Sequence, residues 1–307
     1  LHDDLLEVWD APRVHHRYWL HALLFLLTLV STTVVGAGLA HSFEAGRPFD
    51  FDGDLLGYTR MWHDPAYLLQ GLPFSLTLLT ILLAHEMGHY LTARYYRVDV
   101  SLPYFLPAPT LLGTLGAFIR IRSAIYSKRA LFDIGIAGPL AGFVVLIVPL
   151  AVGLSLSKVA PGVARAGDLI FGDPRLLRLF EWIWFPGVPS ANIYLHPVAR
   201  AAWVGLLATA LNLLPIGQLD GGHILYAFAG ERTRILSRVF VVLLVAMGFL
   251  FSYTWLFWAA LLFFFGMRHP AIYDPYPIGR TRTWLGIAAL LIFLLSFTVV
   301  PVRTNGL

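Results

Sequence analysis

His85-Glu86-Met87-Gly88-His89 sits inside a long apolar run, and few folds can accommodate that combination. Residues 76–84 before it carry no charge, and Arg94 is the first charged residue after it. A run of this kind predicts a helix that spans a bilayer. Residues four apart lie one above the other on a helix, so the two imidazoles can grip one metal ion. Glu86 is then placed to handle a proton of water beside that ion. Ionisable side chains at membrane depth are costly, and three within one turn mark a functional site.

Composition supports the membrane reading. The 307 residues are 58% hydrophobic and 13% charged, against about 25% charged in soluble domains. The chain is therefore read as a polytopic membrane protein whose surroundings are the lipid bilayer. Its net charge of +4 is spread over loops without a dense basic run, so no nucleic-acid partner is expected. Cysteine is absent, which excludes disulfides, thiolate ligands and cysteine nucleophiles. Any metal must be held by His, Asp or Glu. The opening Leu1-His2-Asp3-Asp4 is not signal-like, so the first apolar segment is expected to stay as an anchor.

Runs long enough to span cover 19–40, 67–94, 131–157, 196–214 and 284–300. The run 239–267 is overlong for one plain span. Ser252-Tyr253-Thr254 near its middle suggests two short helices, giving seven spans; one tilted helix gives six. With seven spans and the N-terminus cytoplasmic, 14 of the 22 Lys and Arg fall inside and 8 outside. The expected organisation is a cytoplasmic tail over 1–18 and one membrane domain over 19–302. Its catalytic core covers about 67–226, with an extracytoplasmic loop at about 158–196. His85 is then about 13 Å of helix from Arg94, inside the membrane and nearer the cytoplasmic face.

Two histidines leave a zinc site one protein ligand short. The candidate is Asp220, in Asn212-Leu213-Leu214-Pro215-Ile216-Gly217-Gln218-Leu219-Asp220-Gly221-Gly222-His223. Pro215 and Gly217 should break the helix there. Irregular backbone at membrane depth is tolerated only when buried in protein or lining a wet cavity. Taken alone, Asp220-Gly221 reads equally well as an interfacial turn; beside the first motif, the ligand reading is favoured.

His85-Glu86-x-x-His89, with Asn212-x-x-Pro215 followed by Leu219-Asp220-Gly221, resembles the site-2 protease family of intramembrane zinc metalloproteases over about residues 67–226. Gly217 departs from the pattern, since many members have a second proline there. About 40 residues separate the third and fourth spans, too few for a PDZ domain, so the resemblance is to the compact bacterial type. It implies an all-α polytopic fold of 6–7 transmembrane helices, with a small membrane-associated β element between the second and third spans. It also implies one catalytic Zn2+ on His85, His89 and Asp220, with Glu86 as the catalytic residue. The implied substrate is a single-pass transmembrane protein cut near the cytoplasmic side, and the implied location a bacterial plasma membrane.

Asn212 matches the family asparagine near bound peptide; a structural amide bonding the broken backbone is the other reading. Gly116, Phe118 and Ile119 are assigned to substrate binding. Residues 117–122 alternate apolar and basic like a half-buried strand, and an exposed edge can hold an unwound substrate by strand addition. His223 is either a satisfied turn residue or a second-shell group that orients a ligand. The small residues of 135–142 read as helix packing.

Other functions remain to be weighed. A catalytically silent scaffold or chaperone would share the fold. A prenyl-protein endopeptidase would need a membrane-embedded glutamate, whereas Glu231 sits among Arg232 and Arg234. A di-iron oxidase would need several histidine boxes. Ligand type favours zinc over iron or cobalt without excluding them.

Overall fold

The computed structural model describes residues 17–48, 64–162, 169–265 and 272–304. The tail expected over 1–18, apart from its last two residues, lies outside them. The centre is built from α1 (Tyr18–Glu44), α2 (Pro65–Leu69), α3 (Leu72–Tyr95), α4 (Lys128–Ser155) and α6 (Pro197–Asn212). A short α5 (Arg175–Trp184) lies between α4 and α6. Three more helices follow α7 (Asp220–Ala229): α8 (Thr233–Leu250), α9 (Thr254–Phe265) and α10 (Arg280–Ser296).

By length and composition, three helical stretches among the described residues suffice to cross a membrane: α1, α4, and the continuous run Asp220–Leu250. Together with the apolar composition, they make this a membrane protein. The helix α3 has 24 residues, about 36 Å at 1.5 Å each, but its metal motif interrupts the apolar run.

Three boundaries differ from the sequence reading. The expected 67–94 span is split, because Gly71 lies against α1 and a Cβ there would overlap the Thr33 carbonyl; Pro73 then starts α3. The 239–267 segment is two helices, as Ser252-Tyr253-Thr254 suggests, with the break at 251–253. Its first helix begins earlier, at Thr233, because Arg234 and Arg238 sit on an exposed face where cations do not end a helix. The 16 residues of α6 reach only about 24 Å, short of a hydrocarbon core of about 30 Å.

A β-ribbon links α3 to α4, where a β element was expected. Strands β1 (Tyr104–Pro107) and β2 (Thr114–Phe118) are antiparallel, with Tyr104 opposite Phe118 and Phe105 opposite Ala117. Two bonds extend the pairing: Ser101 N–H to the Arg120 carbonyl (3.0 Å) and Arg122 N–H to the Asp99 carbonyl (2.9 Å). Polar residues of α1 hold the ribbon. His21 Nδ1 donates to the Pro103 carbonyl at 3.1 Å, and Ser31 Oγ to the Gly113 carbonyl at 2.6 Å. Backbone groups that would otherwise face lipid are thus satisfied within the protein.

Two further strand pairs are too short to leave an alternation pattern in the sequence. They join β3 (Lys158–Val159) to β5 (Ile193–Tyr194), and β4 (Leu169–Phe171) to β6 (Val302–Thr304).

The main core lies among α3, α4 and α6, with Phe74, Leu78, Ile81, Leu146, Leu150 and Leu206 buried together. The α3–α4 crossing is close, since a Cβ on Gly88 would overlap the Ala137 carbonyl. Gly88→Ala is expected to destabilise the protein by about 1–3 kcal/mol, the usual cost of overpacking, read as a lower unfolding temperature in detergent.

Glu181 on α5 is buried and accepts a 2.6 Å bond from Ser190 Oγ. Burial pushes its carboxyl up from 4.5 to about 7. The folded state therefore holds a proton that the unfolded chain releases, and stability falls as pH rises across that window. Glu181→Gln is expected to unfold at a higher temperature than the parent at about pH 8, with the difference gone near pH 4.

Candidate metal centre

The first two donors come from one helical face of α3. His85, Glu86 and His89 are all buried, at 6%, 5% and 6% exposure. The third donor arrives from a different element. The chain leaves α6 at Asn212, passes through the irregular segment 213–219, and enters α7 at Asp220. Pro215 and Gly217 break the helix as their chemistry requires, and Gly217 has a φ of +48°. Ser237 of α8 satisfies the broken backbone, accepting from Gly217 N–H at 3.2 Å and donating to the Pro215 carbonyl at 3.3 Å. Gly221 and Gly222 press against the same segment; Cβ atoms there would overlap the carbonyls of Leu213 and Gly217. The paired glycines bring α7 close enough to aim Asp220 at the histidines.

The donors converge. His85 Nε2 and His89 Nε2 lie 3.1 Å apart. Asp220 Oδ2 is 3.2 Å from the first and 3.3 Å from the second. These are the edges of one face of a small tetrahedron. Zinc–ligand bonds of about 2.0–2.1 Å imply edges of roughly 3.3–3.4 Å, so the donor spacing fits a zinc ion. No other group of three or more such ligand side chains occurs among the described residues.

Charge fits as well. Two neutral imidazoles and the carboxylates of Asp220 and Glu86 carry two negative charges, and a divalent cation brings the sum to zero. Buried charges are stable only when compensated in this way.

The surroundings fix the ligands. His89 Nδ1 donates to the Ile134 carbonyl at 2.7 Å, which directs its Nε2 lone pair inward. Pro139 lacks the N–H that would bond the Gly135 carbonyl and so loosens this turn of α4. Next to Ile134, Asp133 is held by Arg282 of α10 through bonds of 2.8 and 2.6 Å, and by the Tyr96 hydroxyl at 2.5 Å. Asn212 Nδ2 comes to 3.3 Å from His85 Nε2.

The glycine stripe of α4 is more than general packing. A Cβ on Gly138 would overlap the His89 ring, and one on Gly142 would lie 3.1 Å from His85 Cβ. Gly135, Gly138 and Gly142 are three and four apart, which marks one helix face. That face is the floor under the imidazoles, a role visible from sequence only once α4 is known to cross α3 at the motif.

A cavity of about 850 Å³ opens onto the group and is lined also by Asn212, His223 and residues 117–121. The ribbon bonds of Arg120 and Arg122 face the first strand. Antiparallel alternation then turns the backbone of Ile119 and Ile121 to the other edge. There the Ile119 backbone faces the Glu86 carboxylate. Phe118 differs from its neighbours: its main chain pairs with Tyr104, its ring stacks on Tyr104 at 5.4 Å, and it meets the cavity from the side. Gly116, at a φ of +101°, lines a separate smaller cavity. His223 lines the main cavity, with its Cβ 3.0 Å from the position a Cβ on Gly135 would take. The Ile134 carbonyl, the Asp133–Arg282 pair and the Ile119 contact carry no local sequence signature.

Gly138→Ala is expected to lower zinc affinity by at least about tenfold, as loss of a ligand's support does, while far-ultraviolet circular dichroism stays helical. Metal analysis of the purified variant checks this.

Residues 73–254 match the family model described as peptidase family M50. The probable zinc metalloprotease EGY1, chloroplastic, of Oryza sativa subsp. japonica is 30% identical over 95% of this chain and 52% of its own length. Its Arabidopsis thaliana namesake is 30% identical over 95% and 54%. The Arabidopsis probable zinc metalloprotease EGY2, chloroplastic, is 31% identical over 78% and 44%. The chain thus spans about half the length of these relatives. Two helices joined at one zinc-sized donor set and a family match across more than half of the residues lead to one assignment: this chain belongs to peptidase family M50, the site-2 proteases.

Proposed function

We propose that the protein is an intramembrane zinc metalloendopeptidase that cuts transmembrane protein substrates on the cytoplasmic side of the bilayer. The observation that carries this reading is the meeting of His85, His89 and Asp220 beside a buried glutamate and an open strand edge.

His85, His89 and Asp220 hold the zinc ion. When bound, zinc supplies Lewis acidity towards a carbonyl oxygen and makes water more acidic. Glu86 accepts a proton from the attacking water and returns it to the departing amine. Its contact with the Ile119 backbone puts the acid–base group against the strand edge. A helical substrate hides its carbonyls in hydrogen bonds, so it must unwind first. Beyond the Ile119 backbone that faces Glu86, the strand edge at Ile121 offers replacement bonds to the unwound backbone, and Phe118 offers a ring at its side. Asn212 bonds substrate backbone beside His85, Gly116 gives the middle of the strand the positive φ that shapes the substrate-facing edge, and His223 steadies the α7 end of the ligand set.

The N-terminus is cytoplasmic in this reading. Seven crossings are formed by α1, α3, α4, α6, α8, α9 and α10, with the bilayer thinned locally around the short α6 and α9, and a single-pass protein is the substrate. The membrane of residence is less specified: the relatives are described as chloroplastic, which gives no support to the expected bacterial plasma membrane.

Co-expression with a single-span substrate tests the mechanism. Glu86→Gln is expected to lower cleavage by about 10²–10⁴-fold, the usual contribution of a general base, with zinc retained. Equal product from parent and variant would remove the protease reading and favour a silent scaffold. Ile121→Pro, which removes an edge N–H, is expected to lower cleavage at least tenfold without changing zinc content.

A further inference from the structure

The smaller cavity, of about 180 Å³, shares His85, Glu86, Ala117, Asn212 and Leu219 with the main one. Its remaining wall is drawn largely from three helices: Ile81 and Leu82 of α3, Ala208 and Thr209 of α6, and Trp258 and Leu262 of α9. The Thr209 hydroxyl is already used, donating to the Gly205 carbonyl of its own helix at 2.8 Å. Apart from the Trp258 indole, the remaining polar side chains of the wall are His85, Glu86 and Asn212, all shared with the main cavity, so the rest of the wall is apolar. The small Ala208 on α6 keeps the space open, and Gly205 lets α6 approach Ile81 of α3.

The dimensions select an occupant. An apolar cavity of about 150 Å³ is large enough to hold a benzene ring, so this one takes a Leu, Met or Phe side chain. A lysine or arginine would bury an unpaired charge in the floor, and an acidic residue would meet Glu86 at the mouth. Because the cavity shares two residues of the catalytic helix turn, its occupant must belong to a residue flanking the reacting bond.

We propose that this cavity is the side-chain subsite of the protease, receiving a medium-sized apolar residue next to the scissile peptide. The proposal rests on the protease reading, and it assigns to α6 and α9 the choice of where a substrate is cut. A hydrophobic pocket distinguishes side chains differing by one methylene by about 10–200-fold, so selectivity among apolar residues should be measurable.

The chain contains no cysteine, which permits a direct test. In full-length Glu86→Gln, Ala208→Cys is paired with single cysteines placed in turn along the substrate segment. A disulfide is expected at one position, adjacent to the bond that the active enzyme cuts. Bonds formed equally at many positions, or none near the cut, would overturn the subsite.

In the active enzyme, Ala208→Phe fills the cavity. The ratio of kcat/KM for substrate with Leu at that position to substrate with Ala there is expected to fall at least tenfold. Leu262→Ala enlarges the cavity and should raise the same ratio for Trp over Leu. An unchanged ratio in both variants would overturn the subsite while leaving the protease intact. If the parent cleaves no substrate yet the single disulfide forms, the protease reading fails and the binding cavity stands.

Discussion

Where α3 crosses α4, Gly88 faces the Ala137 carbonyl and Gly138 faces the His89 ring, and neither point admits a side chain larger than hydrogen. This contact sets the depth at which the imidazoles sit and the direction they face. It lets the Ile134 carbonyl reach His89 Nδ1, so one nitrogen is committed to the protein and the other to the metal. A bulkier crossing would push α3 away from α4, and Asp220 would no longer meet both rings. Small residues commonly allow membrane helices to approach closely; here the approach also shapes a coordination sphere.

The second requirement is a helix that stops early. If α6 continued past Asn212, its backbone would be self-satisfied and its side chains would point around a cylinder. By ending there, the chain gains a short irregular stretch that can turn back into α7 and deliver a carboxylate. Such a stretch would be untenable in lipid without internal partners. Ser237 provides them from α8, so a hydroxyl far from the chemistry makes the ligand geometry affordable.

The parts of this arrangement legible from sequence were those written in local chemistry. His85-Glu86-x-x-His89 fixes a helix face by spacing alone, and Pro215 and Gly217 mark a break because of what their backbones cannot do. The pairing of Asp220 with the histidines could be argued from the missing third ligand and the helix break just before it. The apolar runs located the helices, but they misplaced boundaries where charged residues occupy an outer face, as at Arg234 and Arg238, or where a glycine is needed for contact, as at Gly71. What remained hidden depends on which segments become neighbours. The stripe of Gly135, Gly138 and Gly142 looked like ordinary packing because nothing in it says which side chain lies above. Likewise, a backbone carbonyl such as that of Ile134 has no signature at all.

Arg282 lies beyond residues 73–254, the stretch that matches the family. Yet its guanidinium grips Asp133 through two bonds, and Asp133 adjoins the carbonyl that orients His89. The matched stretch is therefore not a self-contained module. A fragment trimmed to the matched stretch would keep every metal ligand and still leave the Asp133 carboxylate without its cation, with α4 free to drift under the histidine it supports. The recognisable sequence thus ends before α10, a helix on which the geometry beneath the histidines depends.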